Sequence, residues 1–116
     1  MGYTAEQLAG MSDYDIEGEI EKICIKKTRP DATDVSFDDT AGCVWANERH
    51  CIKGFAVRSY CSDWSATGPL MVEHGICLHY RDGVFAYAEH FCNMAGFSDN
   101  NNPLRSICEV ILMMGE

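Results

Sequence analysis

The tightest constraint on the fold lies near the carboxyl end, where Asn102-Pro103 leads into Leu104-Arg105-Ser106-Ile107-Cys108-Glu109-Val110-Ile111-Leu112-Met113-Met114. Asn is a favoured helix cap, and Pro suits the first helical position because its missing N–H has no partner there in any helix. Leu104, Ile107, Cys108, Ile111 and Leu112 recur at helical spacing, and Val110 and Met114 widen the apolar arc. A helix over 104–114 with so broad an apolar arc has to be covered on several sides. It is expected to be the central core element.

The other elements follow from caps and turns. Thr4-Ala5-Glu6-Gln7 has capping-box form and starts a short helical turn that Gly10 ends. Ser12-Asp13-Tyr14-Asp15 repeats that signal and opens a helix over about 13–27, with Ile16, Ile20, Ile23 and Cys24 as its apolar stripe. Lys26 and Lys27 suit the last turn, and Arg29-Pro30 ends the helix. Asp63 or Thr67 caps a further short helix with Pro69 in its first turn, Leu70, Met71 and Val72 as anchors, and Gly75 as its left-handed end. Ile76 to Tyr80 and Val84 to Ala88 flank Arg81-Asp82-Gly83, and Asp-Gly favours a type I′ hairpin turn. With that register Ile76, Leu78 and Tyr80 share a core face with Phe85 and Tyr87. Residues 30–62 carry only short alternations, broken by Asp38 to Gly42 and by Lys53-Gly54. Cys43 to Ala46 and Phe55 to Val57 read as strands.

These elements predict an α+β fold: a small antiparallel sheet with a hairpin near residues 76–88, packed against about three helices. A chain of 116 residues, 47% of them hydrophobic, suits a single domain over 1–116, which buries roughly two-thirds of its extended-chain surface.

Charge narrows the partners. Nine basic and eighteen acidic residues give a net charge of -9, which repels nucleic-acid phosphate and anionic lipid. Direct nucleic-acid and membrane binding are therefore disfavoured. The surplus is concentrated early, with ten acids against four bases in residues 1–39. Asp13, Glu17, Glu21, Asp38 and Asp39 are the candidate partner-binding face, able to meet a basic protein as DNA would. The plainer reading of these carboxylates is solubility.

Seven cysteines would suggest a disulfide framework in a secreted chain. The first residues lack a basic segment followed by an apolar run, and the odd cysteine count fits reduced thiols packed as small hydrophobes, so a cytoplasmic setting is expected. Cys77 and His79 share a strand face which, if the next strand continues, His90 and Cys92 also share; the four are a candidate zinc set. The spacing is not a standard knuckle, and half-buried thiols beside solvent histidines are the commoner outcome. His50-Cys51 puts a thiol next to an imidazole, yet neighbours in an extended segment face opposite ways. Phosphate-cradling glycine motifs are absent from the sequence. No catalytic residue, metal or cofactor is assigned.

Asp63-Trp64 with Gly68-Pro69-Leu70-Met71-Val72-Glu73-His74-Gly75-Ile76, Asn102-Pro103-Leu104-Arg105 with Ile111-Leu112-Met113-Met114, and the opening Ser12-Asp13-Tyr14-Asp15-Ile16 resemble the NinX-like family of small phage and prophage proteins. The resemblance covers the start, middle and end of the chain and leaves residues 30–60 outside it. It implies a non-structural phage product in the bacterial host cytoplasm, with no catalytic residues to carry over. The expected function is binding of a host protein, as an inhibitor of a defence or nucleic-acid-processing system; the alternative is a zinc-stabilised or thiol-dependent enzyme built on the Cys and His residues.

Overall fold

The computed structural model describes residues 2–91 and 96–115. In chain order they form α1 (Ala5–Ala9), α2 (Asp13–Thr28), β1 (Thr33–Asp38), β2 (Cys43–Glu48), β3 (Cys51–Ala56), α3 (Trp64–Glu73), β4 (Ile76–Arg81), β5 (Val84–His90), β6 (Phe97–Ser98) and α4 (Pro103–Met113). The class is α+β as expected, but with two antiparallel three-stranded sheets, β1-β2-β3 and β4-β5-β6.

The caps act as the sequence indicates. Thr4 and Gln7 form a reciprocal capping box on α1. Ser12 Oγ accepts from Asp15 N at the start of α2. Asn102 Oδ1 accepts from the amides of Leu104 and Arg105 at the start of α4. Gly75, at φ +67°, follows the C-cap of α3. That helix begins at Trp64 with Asp63 as its cap, so Pro69 sits inside it and not in its first turn. Val72 is exposed, while Leu70 and Met71 pack on the core.

The main core gathers Leu8, Ile16, Ile20, Tyr60, Ile76, Ala88 and the buried face of α4. Leu104, Ile107, Cys108, Val110, Ile111 and Leu112 are all buried, so α4 is the central element. The other side of α2 meets the first sheet, where Ile25, Val44 and Ala46 are buried among Val35, Phe37 and Phe55. Gly18 brings the two surfaces together, since a Cβ there would lie 2.6 Å from the Phe37 ring.

The second sheet departs from the predicted register. A bulge between His79 and Tyr80 leaves Ala86 without a partner, so that Tyr80 pairs with Phe85 but His79 pairs with Tyr87. An extra residue in one strand reverses the faces beyond it. Tyr87 is thereby turned away from Leu78 and stacks on His79, with ring centroids 4.4 Å apart. Ala88 takes the core position opposite Leu78 and is fully buried. Tyr80, expected in the core, is exposed.

Candidate functional site

The five acidic candidates fall into two groups. Glu21 is 2% exposed and accepts from Arg58 N and the Tyr60 hydroxyl, each at 3.1 Å. Glu17 is half-buried and accepts from Cys61 N at 3.0 Å. These two carboxylates fasten residues 58–61 to α2 and face into the fold. Burial raises the Glu17 carboxyl above the ordinary carboxylate range, against the lowering effect of the Cys61 amide.

Asp13 and Asp39 are exposed and Asp38 is half-buried, and Tyr14 ties the start of α2 to the β1–β2 turn. Its hydroxyl donates to the Asp39 carbonyl at 3.3 Å, and its ring meets Phe37 edge-on. The acidic first turn of α2 is thus seated beside the β1–β2 turn. Among the described residues Asp13 has an ion pair, with Arg105 at 2.6 Å, whereas Asp15, Asp38 and Asp39 have none. Asp38 caps its turn by accepting from Ala41 N and Thr40 N, and its second oxygen accepts from Trp45 Nε1 at 3.3 Å. The Ala41 amide and the Trp45 indole hold the Asp38 carboxyl below its usual range.

That last hydrogen bond joins the acidic turn to the open face of the first sheet. Val44 and Ala46 point inward, so the alternate positions Trp45 and Asn47 point out. Trp45 lies opposite Ser36 on one side and Gly54 on the other, and Asn47 lies opposite Ile52. Asp34, Ser36, Trp45, Asn47 and Ile52 line a shallow hollow of about 530 Å³. Trp45 is 38% exposed and Ile52 71%, so this Trp is not the core residue that its type suggests. The sequence signal was the alternation Val44-Trp45-Ala46-Asn47; it was obscured because Gly54, mid-strand, resembles a turn.

The bulge also decides the geometry of the Cys and His residues of the hairpin. His90 pairs with Ile76, whereas Cys77 pairs with Glu89 and His79 with Tyr87. Paired residues share a face, so His90 lies on the side opposite Cys77 and His79. His79 Nε2 contacts Glu89 Oε1 at 2.8 Å. Cys92 lies outside the described residues. Among those described, no group of three or more His, Cys, Asp or Glu side chains is placed to hold a metal ion.

His50 lies with Arg49 in the exposed turn between β2 and β3, both at positive φ, and Cys51 is the exposed first residue of β3, paired with Glu48. Cys61 and Cys108 are buried, Cys24, Cys43 and Cys77 are half-buried, and all are free thiols. The Cys61 thiol beside it, together with burial, pushes the Cys108 thiol well up, so it stays protonated. Burial also raises Cys24, beside the Tyr60 hydroxyl. Such thiols are poor nucleophiles.

No helix among the described residues is long and apolar enough to cross a membrane. Comparison with known proteins finds no matching family model, no matching curated protein and no matching solved structure.

Proposed function

We propose that the chain is a non-enzymatic, phage-encoded accessory protein that acts in the bacterial host cytoplasm by binding a basic host protein. The blocked activity would be that of a defence or nucleic-acid-processing enzyme, whose DNA-binding surface an acidic protein can occupy. The observation that carries this is that Asp15, Asp38 and Asp39, in the first turn of α2 and in the β1–β2 turn that Tyr14 ties to it, have no ion pair among the described residues. A net charge of -9 adds long-range attraction for a cationic partner. The resemblance of Ser12 to Ile16 and of the other two segments to NinX-like proteins supports the phage origin. A zinc-stabilised or thiol-dependent enzyme has less in its favour, because the bulge separates His90 from Cys77 and His79.

Capture from bacterial lysate at low salt tests the proposal, with an Asp38→Asn, Asp39→Asn chain run in parallel. The expected result is a specific partner that the double variant retains poorly and that elutes as salt approaches about 1 M, where the screening length is about 3 Å. Retention of no specific partner by the unaltered chain would overturn it.

A further inference from the structure

The open face of the first sheet has a composition that selects its ligand. The Trp45 indole lies flat over Gly54, where a Cβ would stand 3.0 Å from the ring. Its outer surface is therefore available to stack, next to Ile52, which is 71% exposed. Asp34 lines the hollow from one side at a β1 irregularity, held at φ +51°. Asp38 is joined to the indole N–H at 3.3 Å on the same sheet. The Asp34 carboxylate makes no ion pair among the described residues.

Basic side chains are directed elsewhere. Lys53 pairs with Ala46, which faces α2, so it points to the reverse side of the sheet. Arg49 sits in the β2–β3 turn, within 3.8 Å of Asp31. The hollow thus combines an aromatic surface, an apolar shelf and unneutralised carboxylate, with no cation lining it.

We propose that this face binds an arginine side chain presented by an extended segment of a basic protein partner. The guanidinium plane would stack on the Trp45 indole, its N–H groups would be directed at Asp34 and Asp38, and its methylene stem would cover Ile52. Charge complementarity chooses this occupant over a neutral one: a sugar ring would also stack on Trp45, but it would leave Asp34 unneutralised. The assignment rests on the binding function proposed above and gives it a contact residue and a partner chemistry.

The test uses a Trp64→Phe chain, in which Trp45 is the remaining tryptophan. An N-acetylated, amidated hexa-arginine peptide is titrated while Trp45 emission is followed, with hexalysine and a neutral cello-oligosaccharide in parallel. Saturable change with hexa-arginine, weaker change with hexalysine and none with the sugar are expected. Asp34→Asn should raise Kd about two- to fivefold, as should Trp45→Leu measured by calorimetry. Glu6→Gln, which removes the same charge from α1, should leave Kd unchanged; circular dichroism checks that each variant is folded. Equal effects of Asp34→Asn and Glu6→Gln, a silent Trp45, or sugar binding of comparable strength would each overturn the assignment. A host partner held equally by the unaltered and Trp45→Leu chains would leave the binding function standing and remove this face from it. Peptide binding here without any host partner would do the reverse.

Discussion

The indole of Trp45 rests against the backbone of Gly54 on the neighbouring strand, at a separation that leaves no comfortable space for a methyl group. That contact lets a large aromatic lie flat on a three-stranded sheet while its N–H reaches Asp38. Gly54→Ala should tilt the indole outward and break that hydrogen bond. The ring is on an open face and has room to move, and the methyl also restricts the unfolded chain. The stability change should therefore stay within about 1 kcal/mol. Emission from a Trp64→Phe chain reads the displacement, and an unaltered spectrum would contradict the packing described.

Gly18 gives the opposite outcome for the same substitution. Replacing a helix-interior glycine by alanine ordinarily stabilises by about 1 kcal/mol. At Gly18, however, the new Cβ would stand 2.6 Å from the ring of Phe37, which is wedged between α2 and the first sheet. Gly18→Ala should cost about 1–3 kcal/mol through overpacking. Adding Phe37→Leu should recover part of that loss, because the two residues share one space. Urea unfolding midpoints of the three chains decide the sign.

These two glycines also show why one half of the chain was easier to read than the other. Helices α1, α2 and α4 announce themselves through Thr4, Ser12 and Asn102, whose side chains act locally on the next few amides. The first sheet carries no such marks. Its β2–β3 turn uses Arg49 and His50 at positive φ, where Asn or Gly would have signalled a hairpin, and its β3 strand contains Gly54 for the sake of Trp45. The reasons for both lie across the sheet, outside any local window. The Ala86 bulge was hidden in the same way, because both registers place apolar residues on alternate positions of 84–88. As for the acidic end, the charge pattern marks the carboxylates, but only their partners in the fold separate Glu17 and Glu21, which fasten residues 58–61 to α2, from Asp38, which caps its own turn, and the exposed Asp39.

Alkaline pH should weaken the fold through Tyr3. Its hydroxyl donates to Glu19, its amide donates to Leu112 O, and burial together with the Glu19 carboxylate pushes the phenol up to about 12. An unfolded tyrosine ionises near about 10. The neutral phenol is thus favoured by folding: its contribution is fully present below pH about 10 and is lost as pH rises from about 10 to about 12. Tyr3→Phe should lower stability at neutral pH, where the hydrogen bond to Glu19 is missing, and flatten the decline over that alkaline window. Unfolding midpoints at several pH values give the slope, and parallel slopes for the two chains would rule out a role for Tyr3 in it.

Arg105 should prove the most sensitive position of all, because its guanidinium satisfies partners from three parts of the chain. Nε donates to Glu109 at 2.8 Å, one turn along α4; Nη1 donates to Asp13 at 2.6 Å; Nη2 donates to the Leu8 and Met11 carbonyls at 2.9 and 2.7 Å. Glu109 is itself buried and also accepts from Ser98. Arg105→Met would leave that carboxylate enclosed without its cation, a loss expected to cost about 3–5 kcal/mol. Arg105→Lys should recover little, since a single ammonium cannot direct a planar fork at both Glu109 and two backbone carbonyls. Pairing Arg105→Met with Glu109→Gln should cost less than the two single changes added together, which distinguishes a stranded charge from a simple loss of packing. Hydrogen exchange should locate the remaining damage at the α1–α2 junction, where Leu8 O and Met11 O lose the Arg105 guanidinium as a donor. Additive energies with unaltered protection of that junction would show that Arg105 merely decorates the surface of α4.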